Sequence, residues 1–441
     1  MSLTPIFKSA LPEQKTLEGL FRVTVVAFED KCSLNCGWRF AELLQRNRLF
    51  DVRFFNEPFS KSFLNLQGRN FYDFIDHGNK ILQSTRADIL VWGYEEDGKI
   101  RLNFQVKNQY AVPNGLAFSL LDSLFVPLSY FAAPENFSES LLILIFGIIT
   151  AAIVPVTNDQ KHHQPKILQE LLETLSADTT PKDFSREFMP YIMNMLGKIY
   201  LTSAIAAGLT AKDIKIIETL FNEALQSRQY MRLPVYYGCI YNNLGQLYEA
   251  AYQSELPNKF DYLKKSLAHY QTARKYLNRN YPYDYGLISY HLAQLNHQYW
   301  KHTLDMQALR DAVSQLRETE KVYSLAQFPQ SWCHIEGLLG YYLASLGLTT
   351  HSNTIMQLAI DCYRNQQQIY EQNTHPMEWA QVQEKIGKIY YLLGKHDEDE
   401  KFMLEARNYF NSAIKIYELL NAKTALVSAK TLLAKINDWI D

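Results

Sequence analysis

The sequence predicts an α+β chain: a small N-terminal α/β domain followed by an all-α superhelix of helical hairpins. Three observations carry this expectation. Short β-branched runs alternate with helical patterns over about the first 110 residues, the mark of βαβ organisation. Strand signals stop at about residue 185. From there small residues recur at Gly197, Gly245, Ala293, Gly340 and Gly387, with spacings of 48, 48, 47 and 47, a period in the range of stacked structural repeats.

The strand runs are residues 21–28 (FRVTVVAF), 50–55 (FDVRFF), 87–93 (ADILVWG) and 99–106 (KIRLNFQV), with helical patterns at 36–47 and 71–84 between the first three. The first three strands are therefore expected to be parallel. The last two are joined by Glu95-Glu96-Asp97-Gly98, and Asp-Gly supplies the positive φ angles of a tight hairpin, so this pair is expected to be antiparallel. Residues 141–156 (LLILIFGIITAAIVPV) are apolar but only 16 long and contain Pro155. A spanning helix needs about 20 residues, so this segment is expected to be a buried helix, paired with residues 166–175 in a degenerate hairpin. The domain plan is 1–135 for the α/β domain, 136–184 for the connecting hairpin and 185–441 for five helical repeats.

Several registers repeat together. The residue before each small position is aliphatic: Leu196, Leu244, Leu292, Leu339 and Ile386. The residue eight before is large: Met189, Tyr237, Tyr285, Trp332 and Trp379. Pro234, Pro282, Pro329 and Pro376 precede four of them by 11 residues, which places the prolines at the junctions between hairpins. In the second half of the unit Ala312, Ala359 and Ala406 are 47 apart. A small residue lets two helices approach closely while its neighbours fill the surrounding space. One hairpin cannot bury its own apolar face, so the units must stack.

Leu-Gly followed by Tyr (Leu196-Gly197 with Tyr200, Leu244-Gly245 with Tyr248, Ile386-Gly387 with Tyr390) resembles the first helix of the tetratricopeptide repeat. Ala406, Phe410 and Ala413 resemble its second helix, with weaker copies at Ser266, Tyr270, Ala273 and at Ala359, Tyr363. The unit departs from the usual 34 residues, which implies lengthened turns; the third repeat also carries Ala293 and Asn296 where the pattern has Gly and Tyr. Residues 23–30 (VTVVAFED) and 87–105 are similar to the amino-terminal α/β domain of TolB-like proteins. That resemblance implies an accessory or regulatory role and a bacterial source.

Composition excludes several classes. Lys+Arg is 44 and Asp+Glu 46, for a net charge of −2, so no general electrostatic drive onto nucleic acid or an anionic membrane exists. The five cysteines are odd in number in a large chain and fit a reducing, cytoplasmic setting rather than a disulfide framework. Cys32 and Cys36 lie where the first strand enters the first helix, a position that can activate thiols, but no second pair completes a zinc site, and ordinary thiols are expected. His162 and His163 are expected in a solvated loop. His291 and His297 are six apart and do not share a helix face well. The run KHDEDEK at 395–401 is expected to be a solvated turn. No phosphate loop, dinucleotide turn, nucleophile elbow or H-E-x-x-H motif is present. No catalytic residue, cofactor or metal is expected.

The expected function is a non-catalytic scaffold that binds a protein or peptide along its first helices. The alternative is a regulatory sensor whose α/β domain binds a small ligand or nucleotide and signals through the repeats. A third reading is a thiol enzyme using Cys32 or Cys36. In tetratricopeptide proteins the positions three before and one after the small residue line the concave groove, four apart and so on one face. Carried over, the first set holds Asn194, Asn242, Tyr290, Gly337 and Glu384, and the second Lys198, Gln246, Gln294, Tyr341 and Lys388. Asn194 and Asn242 are suited to a peptide backbone, and Lys198, one turn from Asn194, to a carboxylate.

Overall fold

The computed structural model describes residues 18–30, 34–58, 69–107, 111–112, 119, 121–178, 186–226 and 234–441. Strands β1 (Phe21–Ala27), β2 (Phe50–Pro58), β3 (Ile89–Glu96), β4 (Lys99–Val106) and β5 (Leu124–Pro127) form one sheet in the order β2-β1-β3-β4-β5. Helices α1 (Cys36–Gln45) and α2 (Arg69–Thr85) make the crossovers between the first three strands, and β1 pairs in parallel with both β2 and β3. The β3–β4 hairpin is antiparallel with Glu96 opposite Lys99. Its turn residues Asp97 and Gly98 have φ of 50° and 73°, as the Asp-Gly pair requires. Strand β5, four residues long, has no counterpart in the sequence reading.

The sheet is covered on both faces. Val23, Val25, Ile89 and Val91 pack with Phe40 and Leu44 of α1 in one core. On the other face Phe74 of α2 meets the Trp92 ring at 4.9 Å. The first core continues into α4 (Glu139–Ala152), reached through the short α3 (Leu128–Ala132). Phe146 of α4 meets Phe50 of β2 with ring centres 5.6 Å apart. Every residue of α4 from Ser140 to Ala152 is buried, which is where a helix apolar on all sides must sit. Gln164 of α5 (Asn158–Asp178) donates to the carbonyls of Thr150 (2.6 Å) and Ile153 (2.7 Å), satisfying the end of α4 ahead of Pro155. Among the described residues no helix is long and apolar enough to cross a membrane.

His162 and His163 lie on helix α5, not in a loop. The capping box Thr157-x-x-Gln160 starts that helix: Gln160 N–H donates to Thr157 Oγ1 at 3.1 Å, while Gln160 Oε1 accepts from the Val156 and Thr157 amides.

The rest is helical hairpins: α6 (Met189–Ala207) with α7 (Ala211–Leu225), α8 (Pro234–Gln253) with α9 (Lys259–Tyr276), α10 (Pro282–Thr303) with α11 (Met306–Val322), α12 (Pro329–Thr350) with α13 (Asn353–Gln366), and α14 (Pro376–Asp397) with α15 (Glu400–Leu419), then α16 (Lys423–Ile440). The prolines are the first helical residues rather than linker residues, where a missing N–H costs nothing. The unit is lengthened by long first helices and by the connections between hairpins, six residues from α11 to α12 and nine from α13 to α14, while the turns inside these hairpins stay short. The first helices run to 22 residues, and α10–α11, α12–α13 and α14–α15 are each joined by only two residues. Leu304, His351 and Glu398, 47 apart, turn the chain there in left-handed conformation with φ of 59°, 51° and 51°. The run at 395–401 is therefore helix end, two-residue turn and helix start; Asp399 caps α15 by accepting from the Lys401 amide.

The chain divides into two compact units: Met1–Tyr110 with Asn114–Ile288, and Ala111–Pro113 with Ser289–Asp441. The first holds the sheet and the hairpins through α9, and the second the hairpins from most of α10 onward.

Candidate functional site

In the first unit, Asn194 and Lys198 stand one turn apart on α6, and both side chains converge on Asp122, just before β5. Lys198 Nζ lies 2.6 Å from Asp122 Oδ2, with the two side chains 3% and 1% exposed. Asn194 Nδ2 donates to Oδ1 at 3.0 Å, and the Ser119 amide donates to Oδ2 at 3.1 Å. Three of roughly four lone-pair positions on the carboxylate are thus filled. Asn243 of α8 donates to Asn194 Oδ1 at 2.8 Å, which fixes the orientation of the Asn194 amide. The segment carrying Asp122 is anchored in turn: Ser123 Oγ donates to Asn103 Oδ1 and accepts from Arg101 Nε, both at 2.8 Å. The carboxylate expected at Lys198 is present, and it belongs to the chain itself.

On α8, Asn242 and Gln246 are 5% and 1% exposed. Asn242 Oδ1 and both polar atoms of the Gln246 amide have no hydrogen-bond partner. Asp284 of α10 is also buried, with Oδ2 unpartnered. Burial pushes its carboxyl up to about 7; the hydrogen bond from Ser119 opposes the rise, the charge of Asp122 adds to it, and Lys198 opposes it. In the folded chain this group stays protonated to about pH 7, whereas unfolded it ionises near pH 4. Its stabilising contribution is therefore complete below pH 4, declines as pH rises through 7, and is flat above that. Between pH 5 and pH 8 the wild type should lose on the order of 3 kcal/mol relative to Asp284→Asn. Urea midpoints for both chains across that range test this, and parallel profiles would contradict it.

In the second unit the carried-over positions are more open. Tyr341 is 44% exposed and sits edge-on to His297, with ring centres 5.1 Å apart. His297 in turn stacks on Tyr342 at 4.2 Å, and burial lowers its pKa to about 4, with Lys301 adding to the shift. Tyr290 Oη lies 2.9 Å from His334 Nε2 and is buried. Glu384 pairs with Lys388 at 2.6 Å and accepts from Tyr417 Oη at 2.8 Å, leaving Lys388 exposed. Gln294 is half-buried. Asp122, Asn243 and Asp284 are absent from the sequence reading: Asn243 lies off the carried-over stripe, and no repeat register marks the others.

Cys36 is buried at the start of α1, its amide donating to Asp30 Oδ2 at 2.9 Å; Cys32 lies outside the described residues. Burial raises the thiols of Cys239, Cys333 and Cys362, the last to about 12, the opposite of activation. Among the described residues no group of three His, Cys, Asp or Glu side chains could hold a metal ion. In comparison with known proteins, the chain matches no family and no curated protein.

Proposed function

We propose that the chain is a non-catalytic, cytoplasmic interaction protein that binds an extended peptide or partner helix on the first helices of its repeats. In this reading the repeats are tetratricopeptide-like, the α/β domain is TolB-like and accessory, and the source is bacterial. The supporting observation is the clamp at Asp122. Two side chains at the positions that line the groove of such repeats, Asn194 and Lys198, grip a carboxylate from a distant segment with a charge-assisted pair and an amide bond. The same positions in the second unit present Tyr341 and Lys388 to solvent, and an exposed tyrosine beside polar groups is the composition of a binding hot spot.

The test is selection of peptides from a random displayed library against the full chain. Enriched sequences should lose at least about tenfold in affinity, about 1.4 kcal/mol, on the Tyr341→Ala, Lys388→Ala double variant. Both positions are exposed, so the variant should unfold as the wild type does. No enrichment, or enriched peptides indifferent to the double variant, would count against this face.

A further inference from the structure

Where α12 turns into α13, His351 faces His396 from the last turn of α14. His351 Nδ1 and His396 Nε2 are 3.2 Å apart. His396 Nδ1 lies 2.6 Å from Asp397 Oδ1. The carboxylate only accepts, so in the neutral ring Nδ1 carries the proton and Nε2 the lone pair, aimed at His351. Asp397 is itself held, its other oxygen accepting from Asn353 Nδ2. A carboxylate behind an imidazole is the arrangement that sets the tautomer and ring angle of metal-binding histidines.

The spacing between the rings bears on the same point. Two imidazole nitrogens on one tetrahedral ion, each bonded at about 2.05 Å, are about 3.3 Å apart, with ring centres about 5.2 Å apart. The ring centres here are 5.1 Å apart. A straight N–H···N hydrogen bond of the observed length would set them about 5.5 Å apart. Repeat stacking alone does not demand the pair. One repeat earlier the equivalent positions, 47 residues back, are Leu304 and Thr349, and the turn closes there without imidazoles.

We propose that His351 Nδ1 and His396 Nε2 bind a divalent transition-metal ion of the class imidazole prefers, Zn2+, Ni2+ or Cu2+. Asp397 is the positioning residue, and water or a partner's side chain fills the remaining coordination positions. Both histidines are exposed, so exchange with solution is open, and a two-ligand site binds more weakly than a closed structural one.

The experiment uses the full chain, stripped with chelator and titrated calorimetrically with Zn2+ alone. One ion per chain should bind, and His351→Ala and His396→Ala should each weaken binding at least about tenfold. Asp397→Asn should weaken it about 10–100-fold by releasing the ring. The His162→Ala, His163→Ala double variant should bind as the wild type does, since that pair lies on α5. With Cu2+ as the probe, paramagnetic resonance should show superhyperfine coupling to two nitrogens in the wild type and to one in either single variant. Binding no tighter in the wild type than in the His351→Ala, His396→Ala chain would overturn the site. So would a single-nitrogen spectrum in the wild type. Affinity unchanged in Asp397→Asn would overturn the positioning role. His351, His396 and Asp397 are exposed and His163 is half-buried, and matching circular dichroism melts would establish that the variants fold.

Discussion

Lys198→Ala is expected to destabilise the chain by about 3–5 kcal/mol, because it removes one half of a buried ion pair and leaves the other half in place. Among the described residues Asp122 would keep the Asn194 amide and the Ser119 N–H as hydrogen-bond partners, in surroundings where its side chain is 1% exposed. The pair itself is a poor source of net stability, since both ions lose their hydration on burial. The double variant Lys198→Met, Asp122→Asn removes both charges and keeps an acceptor oxygen at position 122, so it should be more stable than Lys198→Ala alone, despite carrying two substitutions. Urea titrations followed by circular dichroism give both values. A Lys198→Ala midpoint within about 0.5 kcal/mol of wild type, the range of ordinary surface changes, would mean the ion pair is not buried as described. The same contact bears on partner binding. A peptide using Asn194 and Lys198 would first have to displace Asp122, so the positions open to a partner are those of the second unit, Tyr341 and Lys388.

The parts of this molecule legible in its sequence are those written more than once or dictated locally. The hairpin period was readable because five copies hold a small residue, glycine in four and Ala293 in the third, in register. The β3–β4 turn was readable because Asp97-Gly98 can adopt φ angles that few dipeptides tolerate. Thr157-x-x-Gln160 was an equally local signal for the start of α5, and it was obscured by the polarity of the residues that follow. Helix length was not legible from the family resemblance. Many of the extra residues continue the helical pattern, and the two-residue turns inside the last three hairpins are marked by the left-handed residues Leu304, His351 and Glu398, none of them a glycine. The clamp was half legible. Periodicity places Asn194 and Lys198 on one face, but it reports a face relative to the helix's own repeat. It cannot show that a segment 72 to 76 residues earlier covers that face. Polar residues that look solvated in sequence are therefore buried in the structure, and their partner Asp122 belongs to no repeat.

The packing glycines should give the other large effect, graded by the room each one has. A Cβ built on Gly245 would lie 2.7 Å from the Tyr270 ring, and one on Gly340 2.9 Å from Tyr363; at Gly387 the nearest atom of Phe410 is 3.1 Å away. In each case the ring comes from the second helix of the same hairpin, at the position the sequence marks as Tyr or Phe. Tyr270 is pinned as well as packed, since its Oη donates to Glu249 at 2.7 Å while Ser266 Oγ donates to the Gly245 carbonyl at 2.8 Å. Gly340→Leu must push Tyr363 and the backbone of α13 away from α12, and it should cost about 3 kcal/mol or more. Alanine separates contact from backbone effects. Ala stabilises a helix interior by about 1 kcal/mol over Gly, so at Gly387, where a shift of a few tenths of an ångström makes room, Gly387→Ala should lie near wild type. Gly245→Ala has a pinned ring to move, and its clash should outweigh the propensity gain. Denaturant midpoints for the three variants test the order: Gly340→Leu lowest, Gly245→Ala below wild type, Gly387→Ala near it. A Gly245→Ala chain as stable as Gly387→Ala would mean that the rings, not the glycines, have the freedom to adjust, and that close helix approach is not what fixes a small residue once per repeat.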